Sequence, residues 1–401
     1  MTSFKPDNPA FVSNPYPTYA KLRKSEPVHR TREGYWIVTK YDLIRELLAN
    51  SELSNAPAKF SVLHARYRDS NVAADLANNI LPFLDPPEHT EKRRLLNRVL
   101  QKQMAEMRPA IESICGDILA SLRDQNEFDV ISDYGTPVSI QSMMQLIGIP
   151  PTHEKKLKKW SALFFYLFAP IRSAQELAEI EHAIAEFRSF LTELIQLRKK
   201  NPCNDLISNL IGTSENNDAN SHSTLSEKDI IDNCILIFAD GIENVDRALG
   251  TCVAHVMENP AIFASINEVD DYERFVSEAL RLDSPAQLIA RISKSDITVG
   301  GQHIDKDSIR FLAIGAANRD PERFDAPDEF NIDRPAQQDL VFGAGRHSCL
   351  GASLVNMQLT GALMRLFAQV QLISPVKDNL EWENRFGHRW LKQYRIKVNW
   401  L

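Results

Sequence analysis

Paired cysteines are missing from this chain of 401 residues, which has five cysteines in all. No two of them form a CxxC pair: they are Cys115, Cys203, Cys234, Cys252 and Cys349. Zinc sites and iron–sulfur clusters use closely spaced cysteines, and a disulfide framework needs an even set. The odd, scattered set therefore disfavours all three and predicts a reduced, cytoplasmic protein.

Long apolar runs and an excess of positive charge are missing as well. The most apolar stretch, WSALFFYLFAPI at 160–171, is far shorter than the ~20 residues that span a bilayer. The first residues, MTSFKPDNPAF, show neither the basic nor the apolar region of a signal peptide. With 46 basic and 53 acidic residues the formal net charge is −7, which argues against nucleic acid as a partner. We therefore expect neither a membrane span nor a nucleic-acid partner.

Internal repeats and long linkers are also missing, so residues 1–401 are expected to form a single domain. Apolar residues recur at three-to-four spacing through most of 88–212, which predicts helices. Short strands are predicted near 296–314, and the Pro-, Gly- and Asp-rich stretch 315–348 predicts an irregular coil. The pattern predicts a mainly α protein with a small β portion.

One predicted helix, which begins after a capping signal at Ser226-x-x-Asp229, is unusually polar in its middle. Its stretch LIFADGIENVD, residues 236–246, starts apolar and then continues with four residues atypical of a buried helix: Asp240, Gly241, Glu243 and Asn244. Buried polar groups are costly without partners, and a helical glycine costs about 1 kcal/mol relative to alanine. Packing alone does not explain such a stretch.

A second unusual stretch, FGAGRHSCLG at 342–351, lies directly before the last predicted long helix. It presents Cys349 from a glycine-hinged loop at a helix N-terminus, where unpaired N–H groups and the helix dipole favour a thiolate. A single thiolate held in this way suits an iron ligand. The alternative is a buried cysteine with glycines nearby by coincidence.

This loop resembles the haem-binding loop of the cytochrome P-450 family, the haem-thiolate monooxygenases, and the resemblance extends over nearly the whole chain. It implies that Cys349 is the axial ligand of the haem iron, that His347 lies at a haem propionate and that Phe342 packs beside the sulfur, with Gly351 on a further motif position. It also implies a single-domain, triangular, α-rich fold, haem b as cofactor and O2 as co-substrate.

Other segments match the same family in the same order. EALR, residues 278–281, supplies Glu278 and Arg281 as the family's ExxR pair, and Arg334 in FNIDRP would complete a charged triad. The resemblance also implies three further basic side chains at the haem propionates: His89, Arg93 and Arg291.

The polar helix is similar to the family's oxygen-binding helix, whose pattern is a small residue, glycine, any residue, an acid and threonine. Gly241 would let the helix open and leave room for dioxygen, and Glu243 corresponds to the acid that passes protons inward. Asp240 replaces the small residue and Asn244 replaces the threonine. An amide can donate a hydrogen bond but cannot relay a proton as a hydroxyl does, so oxygen activation would depend on a water or a substrate hydroxyl.

Two roles remain open at each of these departures. Asp240 either points into the pocket and holds a polar or cationic group of the substrate, or turns aside to an arginine or a water. Asn244 either acts in the haem pocket or only stabilises its helix.

The resemblance implies a monooxygenase that hydroxylates or otherwise oxidises a small, largely apolar molecule, a secondary metabolite by family analogy. No residues remain for a reductase domain, so we expect electrons from a separate ferredoxin or flavodoxin with its reductase. Candidate docking residues are Arg94, Arg98 and Arg346. By family position the substrate pocket is expected to be lined by four segments: 56–84, 160–168, 237–245 and 286–290.

Two other functions stay open. The first is oxidative coupling of phenols or other arenes on the same fold, which the missing threonine makes more credible. The second is a non-catalytic haem-thiolate sensor or binding protein, which the presence of Gly241 and Glu243 disfavours.

Overall fold

The computed structural model describes residues 4–56, 72–164, 173–215, 224–335, 339–377 and 379–401. It is 56% helical, and its strands form two small sheets and one hairpin. The predicted class, mainly α with a small β portion, is confirmed.

Helices make up the larger part of the described residues. In chain order they are α1 (Pro9–Ser13), α2 (Tyr16–Ser25), α3 (Tyr41–Ala49), α4 (Val72–Ala77), α5 (Glu88–Ala105), α6 (Arg108–Ser121), α7 (Thr136–Ile147), α8 (Glu154–Phe164), α9 (Ala174–Lys200), α10 (Leu206–Glu215), α11 (Glu227–Asp240), α12 (Glu243–Glu258), α13 (Pro260–Phe263), α14 (Val269–Leu282), α15 (Ile314–Ala317) and α16 (Ala352–Phe367). Single turns of other helix types lie at Leu81–Phe83, Val130–Gly135, Pro151–His153 and Gly345–His347.

The strands are short and belong to both ends of the chain. They are β1 (Val28–Arg30), β2 (Trp36–Val38), β3 (Leu53–Ser54), β4 (Glu127–Asp129), β5 (Leu288–Ser293), β6 (Ile297–Val299), β7 (Gln302–Ile304), β8 (Ile309–Ala313), β9 (Val370–Pro375) and β10 (Arg395–Trp400). Five of them form a sheet in the order β1-β2-β8-β5-β3, in which only β2 and β8 are parallel. Strands β4, β10 and β9 form a second, antiparallel sheet, and β6 pairs with β7.

The main hydrophobic core is helical and the smaller one lies against the five-stranded sheet. The helical core is built from the apolar faces of α5, α6, α7, α9, α11, α12, α14 and α16. The second core packs α3 against the sheet. Within the described ranges, no helix has both the length and the hydropathy that crossing a membrane requires.

The polar helix of the sequence is two helices, α11 and α12. The predicted cap is confirmed, because Ser226 and Asp229 form a reciprocal capping box at the start of α11. The helix stops at Asp240, and Gly241 has φ −79° and ψ 0°, outside helical geometry. A Cβ at Gly241 would overlap the sulfur of Met143 on α7. The predicted local opening at Gly241 is therefore confirmed, and close packing against α7 gives the glycine a second reason.

Candidate active site

A cavity of about 610 Å³ separates the α11–α12 break from the loop before α16, a size typical of small-molecule and cofactor pockets. One side is formed by cavity-facing residues of the loop 342–351, which we call the cysteine wall. The opposite side is formed by cavity-facing residues of 236–248, which we call the helix wall. Most of the remaining lining is apolar, and it includes residues of α7, β5 and β8.

The glycines of the cysteine wall let the loop fold back on itself. Gly343 and Gly345 have φ values of 67° and 70°, a region that favours glycine. A Cβ at Gly345 would also lie 2.7 Å from the carbonyl oxygen of Leu48. The Cys349 N–H donates to the Phe342 carbonyl at 2.8 Å, which closes the loop. The turn presents the Cys349 thiol to the cavity directly before α16.

The electrostatic setting of Cys349 corrects one sequence expectation. Burial raises the pKa of its thiol, whereas the backbone N–H groups of Gly351 and Ala352 lower it and the Asp240 carboxylate raises it further. The helix N-terminus does favour the thiolate, as expected, but burial outweighs it. A metal ion would reverse this balance, since a coordinating thiol is deprotonated outright.

A basic cluster lies at the edge of the cysteine wall: His89, Arg93, Arg291, Arg346 and His347. The rings of His89 and His347 are 4.1 Å apart between centroids. Burial, followed by the neighbouring positive charges, lowers the pKa of His347 to about 3 and that of His89 to about 4. Arg93 donates to the Ser348 carbonyl at 2.7 Å. The four propionate residues expected from the sequence are thus brought together.

This basic cluster fits the two propionates of a haem. Both ring nitrogens of His89 are buried without a hydrogen-bond partner among the described residues. The guanidinium of Arg291 is buried and donates to the Ala290 carbonyl at 2.8 Å, and burial and then the charge of Arg346 lower its pKa to about 10. Buried charges are normally paired. Carboxylates placed at this edge of the cavity would supply the missing partners, so the residues fit haem.

The predicted charged triad is confirmed behind the cysteine wall. Arg281 donates two hydrogen bonds to the Glu278 carboxylate, at 2.7 and 2.8 Å, and the Nε of Arg334 lies 3.3 Å from it. Arg281 also donates to the carbonyls of Asn318 and Pro327 at 2.7 and 2.8 Å. The triad ties α14 to the irregular coil that leads into the cysteine loop.

On the helix wall, Asp240 points into the cavity. Its side chain is accessible and lines the cavity. Burial alone raises the pKa of the carboxyl to about 7, with no neighbouring cation to lower it. Of the two orientations expected from the sequence, the structure shows the first, with no arginine turned toward Asp240 among the described residues.

Asn244 also lines the cavity, and a residue from the C-terminal part of the chain, Trp390, holds its side chain. The buried indole N–H of Trp390 donates to the Asn244 Oδ1 at 3.2 Å. Because an indole can only donate, the amide oxygen is turned toward Trp390 and the amide N–H groups point away from it. The ring of His388 packs against that of Trp390 at a tilt, with centroids 4.7 Å apart, and His388 lines the cavity as well.

Glu243 begins α12 and is not one of the residues that line the cavity. Its carboxylate lies 3.8 Å from the guanidinium of Arg385. Burial raises the pKa of Glu243 to about 7, and the charge of Arg385 opposes that rise. Arg385 lies over the Trp390 ring at 4.5 Å and also lines a small pocket next to the cavity.

The sequence interpretation missed the segment 385–390, which lines part of the cavity and contacts Glu243 and Asn244. Phe386, Gly387 and His388 line the cavity. Burial and then the charge of Arg385 lower the pKa of His388 to about 4, so that the ring is neutral near neutral pH. The sequence RFGHRW offers one signal, a local concentration of aromatic and basic residues.

The expected pocket segments are present only in part. Leu81, Pro82 and Phe83 line the cavity, as do the helix wall and most of 286–290. Residues 57–71 and 165–172 lie outside the described residues. The expectations for 56–84 and 160–168 are therefore tested only for the described part of each segment. Trp160 packs in the core against Phe187, at 4.9 Å between centroids.

Of the candidate docking residues, Arg94 and Arg98 are exposed on α5, whereas Arg346 is half-buried at the basic cluster. Each is compatible with a surface contact, and their role as docking residues stays a prediction.

Comparison with known proteins covers almost the entire chain. The family model for cytochrome P-450 matches residues 27–398. The chain is 29% identical to a biotin biosynthesis cytochrome P-450 of Bacillus subtilis (96% of each protein covered) and 27% identical to the polyketide biosynthesis cytochrome P-450 PksS of the same organism (99% of this chain and 98% of that one). It is also similar to the crystal structure of P450BioI in complex with an acyl carrier protein ligated to hexadec-9Z-enoic acid, with a TM-score of 0.88, 26% identity and coverage of 97% and 99%.

Proposed function

Because the chain belongs to the cytochrome P-450 family of haem-thiolate monooxygenases, which bind haem b and use O2, we propose that it oxidises a small, largely apolar organic molecule in this cavity. One observation carries the proposal. The Cys349 thiol and the α11–α12 break face each other across a mainly apolar space. That space can exclude water from a reaction while it holds an apolar substrate against the helix wall.

The cysteine wall holds the cofactor in this proposal. Haem, when bound, supplies the activation of oxygen, and its chemistry depends on the thiolate ligand. Cys349 would bind the iron, and His89, Arg93, Arg291 and His347 would hold the propionates. The triad of Glu278, Arg281 and Arg334 acts on the cofactor only through the coil that it braces.

Glu243, which lies outside the cavity next to the helix wall, delivers protons in this proposal. Glu243 has a pKa of about 7, so it can give and take a proton near neutral pH, as a general acid requires. Arg385 lies beside it and lines the neighbouring pocket, which gives the Glu243 carboxyl a route to solvent. From the carboxyl, the proton would reach the cavity through water, because the Asn244 amide can donate a hydrogen bond but not pass a proton on.

The substrate and the electron donor form the finer part of the proposal. We propose an intermediate of secondary metabolism as substrate, since two relatives are named for biotin and polyketide biosynthesis. We propose a ferredoxin or flavodoxin with its reductase as electron donor, docked at Arg94, Arg98 and Arg346 outside the cysteine wall. The enzyme would work in the cytoplasm, where its unpaired cysteines stay reduced.

The proposal is tested with the haem-loaded enzyme, a surrogate ferredoxin system, a metabolite extract and isotopically labelled dioxygen. A reductant-dependent product that carries one labelled oxygen atom is the expected result. No reductant-dependent product from any fraction would contradict the proposal.

Oxidative coupling is the second candidate, and one contact favours it. Trp390 fixes an amide where the family has a hydroxyl, which removes a proton relay that coupling does not need. An unlabelled product formed by loss of two hydrogen atoms, above all a dimer, would select coupling over oxygen insertion.

A further inference from the structure

The charges that line the cavity are distributed unevenly. Among the described lining residues, Asp240 is the only acid. The positive lining side chains, Arg93 and Arg291, lie in the basic cluster at the cysteine wall, where the propionates would neutralise them. Asp240 therefore contributes a negative charge to the helix wall that nothing in its surroundings balances.

The surroundings of Asp240 show why this charge is costly. The neighbouring lining residues of α7 and α11 are apolar, among them Met143, Leu146 and Ile237. Across the described residues, no hydrogen bond or ion pair reaches the Asp240 carboxylate, and no cation is close enough to lower its pKa. A carboxylate in such surroundings either takes up a proton or pairs with a cationic partner. In an otherwise apolar chamber, that partner has to come with the substrate.

The polar groups next to Asp240 do not supply a cationic partner for its carboxylate. The Asn244 oxygen is turned to Trp390, and His388 is neutral near neutral pH. A neutral hydroxyl could donate to Asp240, but it would leave the negative charge in place. A cationic group would both pair with the carboxylate and cancel the charge.

We infer that Asp240 is a specificity-determining residue, whose carboxylate binds a positively charged nitrogen group of an otherwise apolar substrate. This inference rests on the proposed function and deepens it by naming the substrate class. Since Asp240 lies directly before the helix break, it also fixes which end of the substrate is held at that break, and the carbon atoms next to the nitrogen are the ones held nearest.

Three ligands of equal chain length test the inference: decyltrimethylammonium, decanol and decanoate. Their headgroups are cationic, neutral and anionic, and a trimethylammonium nitrogen has no lone pair with which to bind iron. Affinity is measured from the shift of the haem absorption band in the oxidised, haem-loaded enzyme, which needs neither turnover nor a redox partner. The native enzyme is expected to bind the ammonium ligand most tightly and decanoate least tightly.

Substitution assigns the preference to Asp240. Asp240→Asn is expected to weaken ammonium binding at least about tenfold, as loss of a buried charge partner does, while decanol binding changes little. Asp240→Glu is expected to keep the preference. The matched control is Asp246→Asn, which alters an acid of α12 that faces Thr136 at 2.7 Å instead of the cavity, and it should leave all three affinities unchanged.

Three results would overturn the inference. The native enzyme could bind decanol or decanoate as tightly as the ammonium ligand, or the ammonium preference could survive in Asp240→Asn. In the third, Asp240→Asn changes the haem spectrum without ligand but leaves the ammonium affinity unchanged, which would assign the carboxylate to the iron. Any of these can occur while a labelled product still supports the proposed oxidation, so the failure of one does not imply the failure of the other.

Discussion

On the cysteine wall, basic side chains crowd together and, among the described residues, no carboxylate hydrogen-bonds to them, although Asp85 lies near enough to act on His89 and Arg291; on the helix wall, a carboxylate lies without a cation among the described residues. The first set, which includes His89 and Arg291, matches a ligand of known charge, the two propionates of haem. The second, Asp240, matches a ligand that the family does not specify. An unbalanced charge on the wall of a cavity thus indicates the charge of the ligand that binds there. The basic cluster indicates an anionic group of the cofactor, and Asp240 indicates a cationic group of the substrate.

The two walls also differ in how they are supported. The cysteine wall is braced by residues that belong to recognisable motifs, such as Glu278 and Arg281. The helix wall is supported by the segment 385–390, whose Trp390 and Arg385 hold Asn244 and Glu243. The cofactor side therefore carries motifs of the family, whereas the substrate side depends on contacts that no motif in the sequence indicates.

Replacement of the thiol should have the largest effect, because it removes the feature that defines the cysteine wall. Cys349→Ser should abolish the long-wavelength absorption band that a thiolate ligand gives the reduced carbon monoxide complex. The control is Cys203→Ser, which changes an exposed cysteine outside the cavity and should keep the band. A normal band in Cys349→Ser would remove this residue as the iron ligand.

Disruption of the triad of Glu278, Arg281 and Arg334 should have the second largest effect. Glu278→Ala leaves two guanidiniums without their carboxylate, and such a loss costs roughly 3–5 kcal/mol. Chemical denaturation and haem content measure the effect. Glu273→Ala is the matched control on the same helix, because its pair with Arg108 is exposed and such pairs contribute about 1 kcal/mol or less. Equal losses in the two variants would show that the triad does not brace the cysteine wall.

Replacement of the proton donor Glu243 should change product formation but leave haem binding at the cysteine wall intact. Burial raises the pKa of Glu243 to about 7, so the carboxyl is protonated below that pH and loses its proton as the pH rises through it. Product formation per reductant consumed should fall above about pH 7 in the native enzyme. In Glu243→Gln it should be low and independent of pH, with an unchanged haem spectrum.

Asp240 titrates in the same range, so Asp240→Asn serves as the control for this pH profile. A profile that keeps its fall in Asp240→Asn but loses it in Glu243→Gln belongs to Glu243. The reverse result would transfer the proton-donor role to Asp240.

Loss of the hydrogen bond between Trp390 and the Asn244 amide should have the smallest effect on activity. Trp390→Phe removes the N–H that holds the Asn244 oxygen, a hydrogen bond worth about 1 kcal/mol, and should lower the fraction of reductant used for product. Asn244→Thr should raise that fraction, because it restores a hydroxyl. If Asn244→Thr instead abolishes product formation, the amide has a task specific to this substrate. The departure of Asn244 from the family's threonine would then serve the function of this enzyme.

Much of this architecture was predictable from the sequence. The strands β6, β7 and β8, the capping box of α11 and the triad around Glu278 were confirmed, since each depends on short patterns or on a motif. The strand β5 was not predicted, because its residues were interpreted only by function, 286–290 as pocket lining and Arg291 as a propionate ligand. The opening of the polar helix at Gly241 was predicted, whereas the contact of Gly241 with Met143 was not, since it joins segments about a hundred residues apart in the chain.

By itself, the sequence indicated the cofactor and the chemistry it supports through its resemblance to a family. The motifs that carry this resemblance, a cysteine in a glycine-hinged loop and an acid and a glycine in one helix, are each confined to a few consecutive residues and can therefore be recognised without the structure. Only the tertiary structure decided the partners of those residues. Trp390 reaches Asn244 across 146 residues, and Asp240 has no hydrogen-bonding or ionic partner because the described side chains of α7 and α11 that line the cavity beside it are mainly apolar. Packing brings such groups together or keeps them apart, and no local pattern records its outcome.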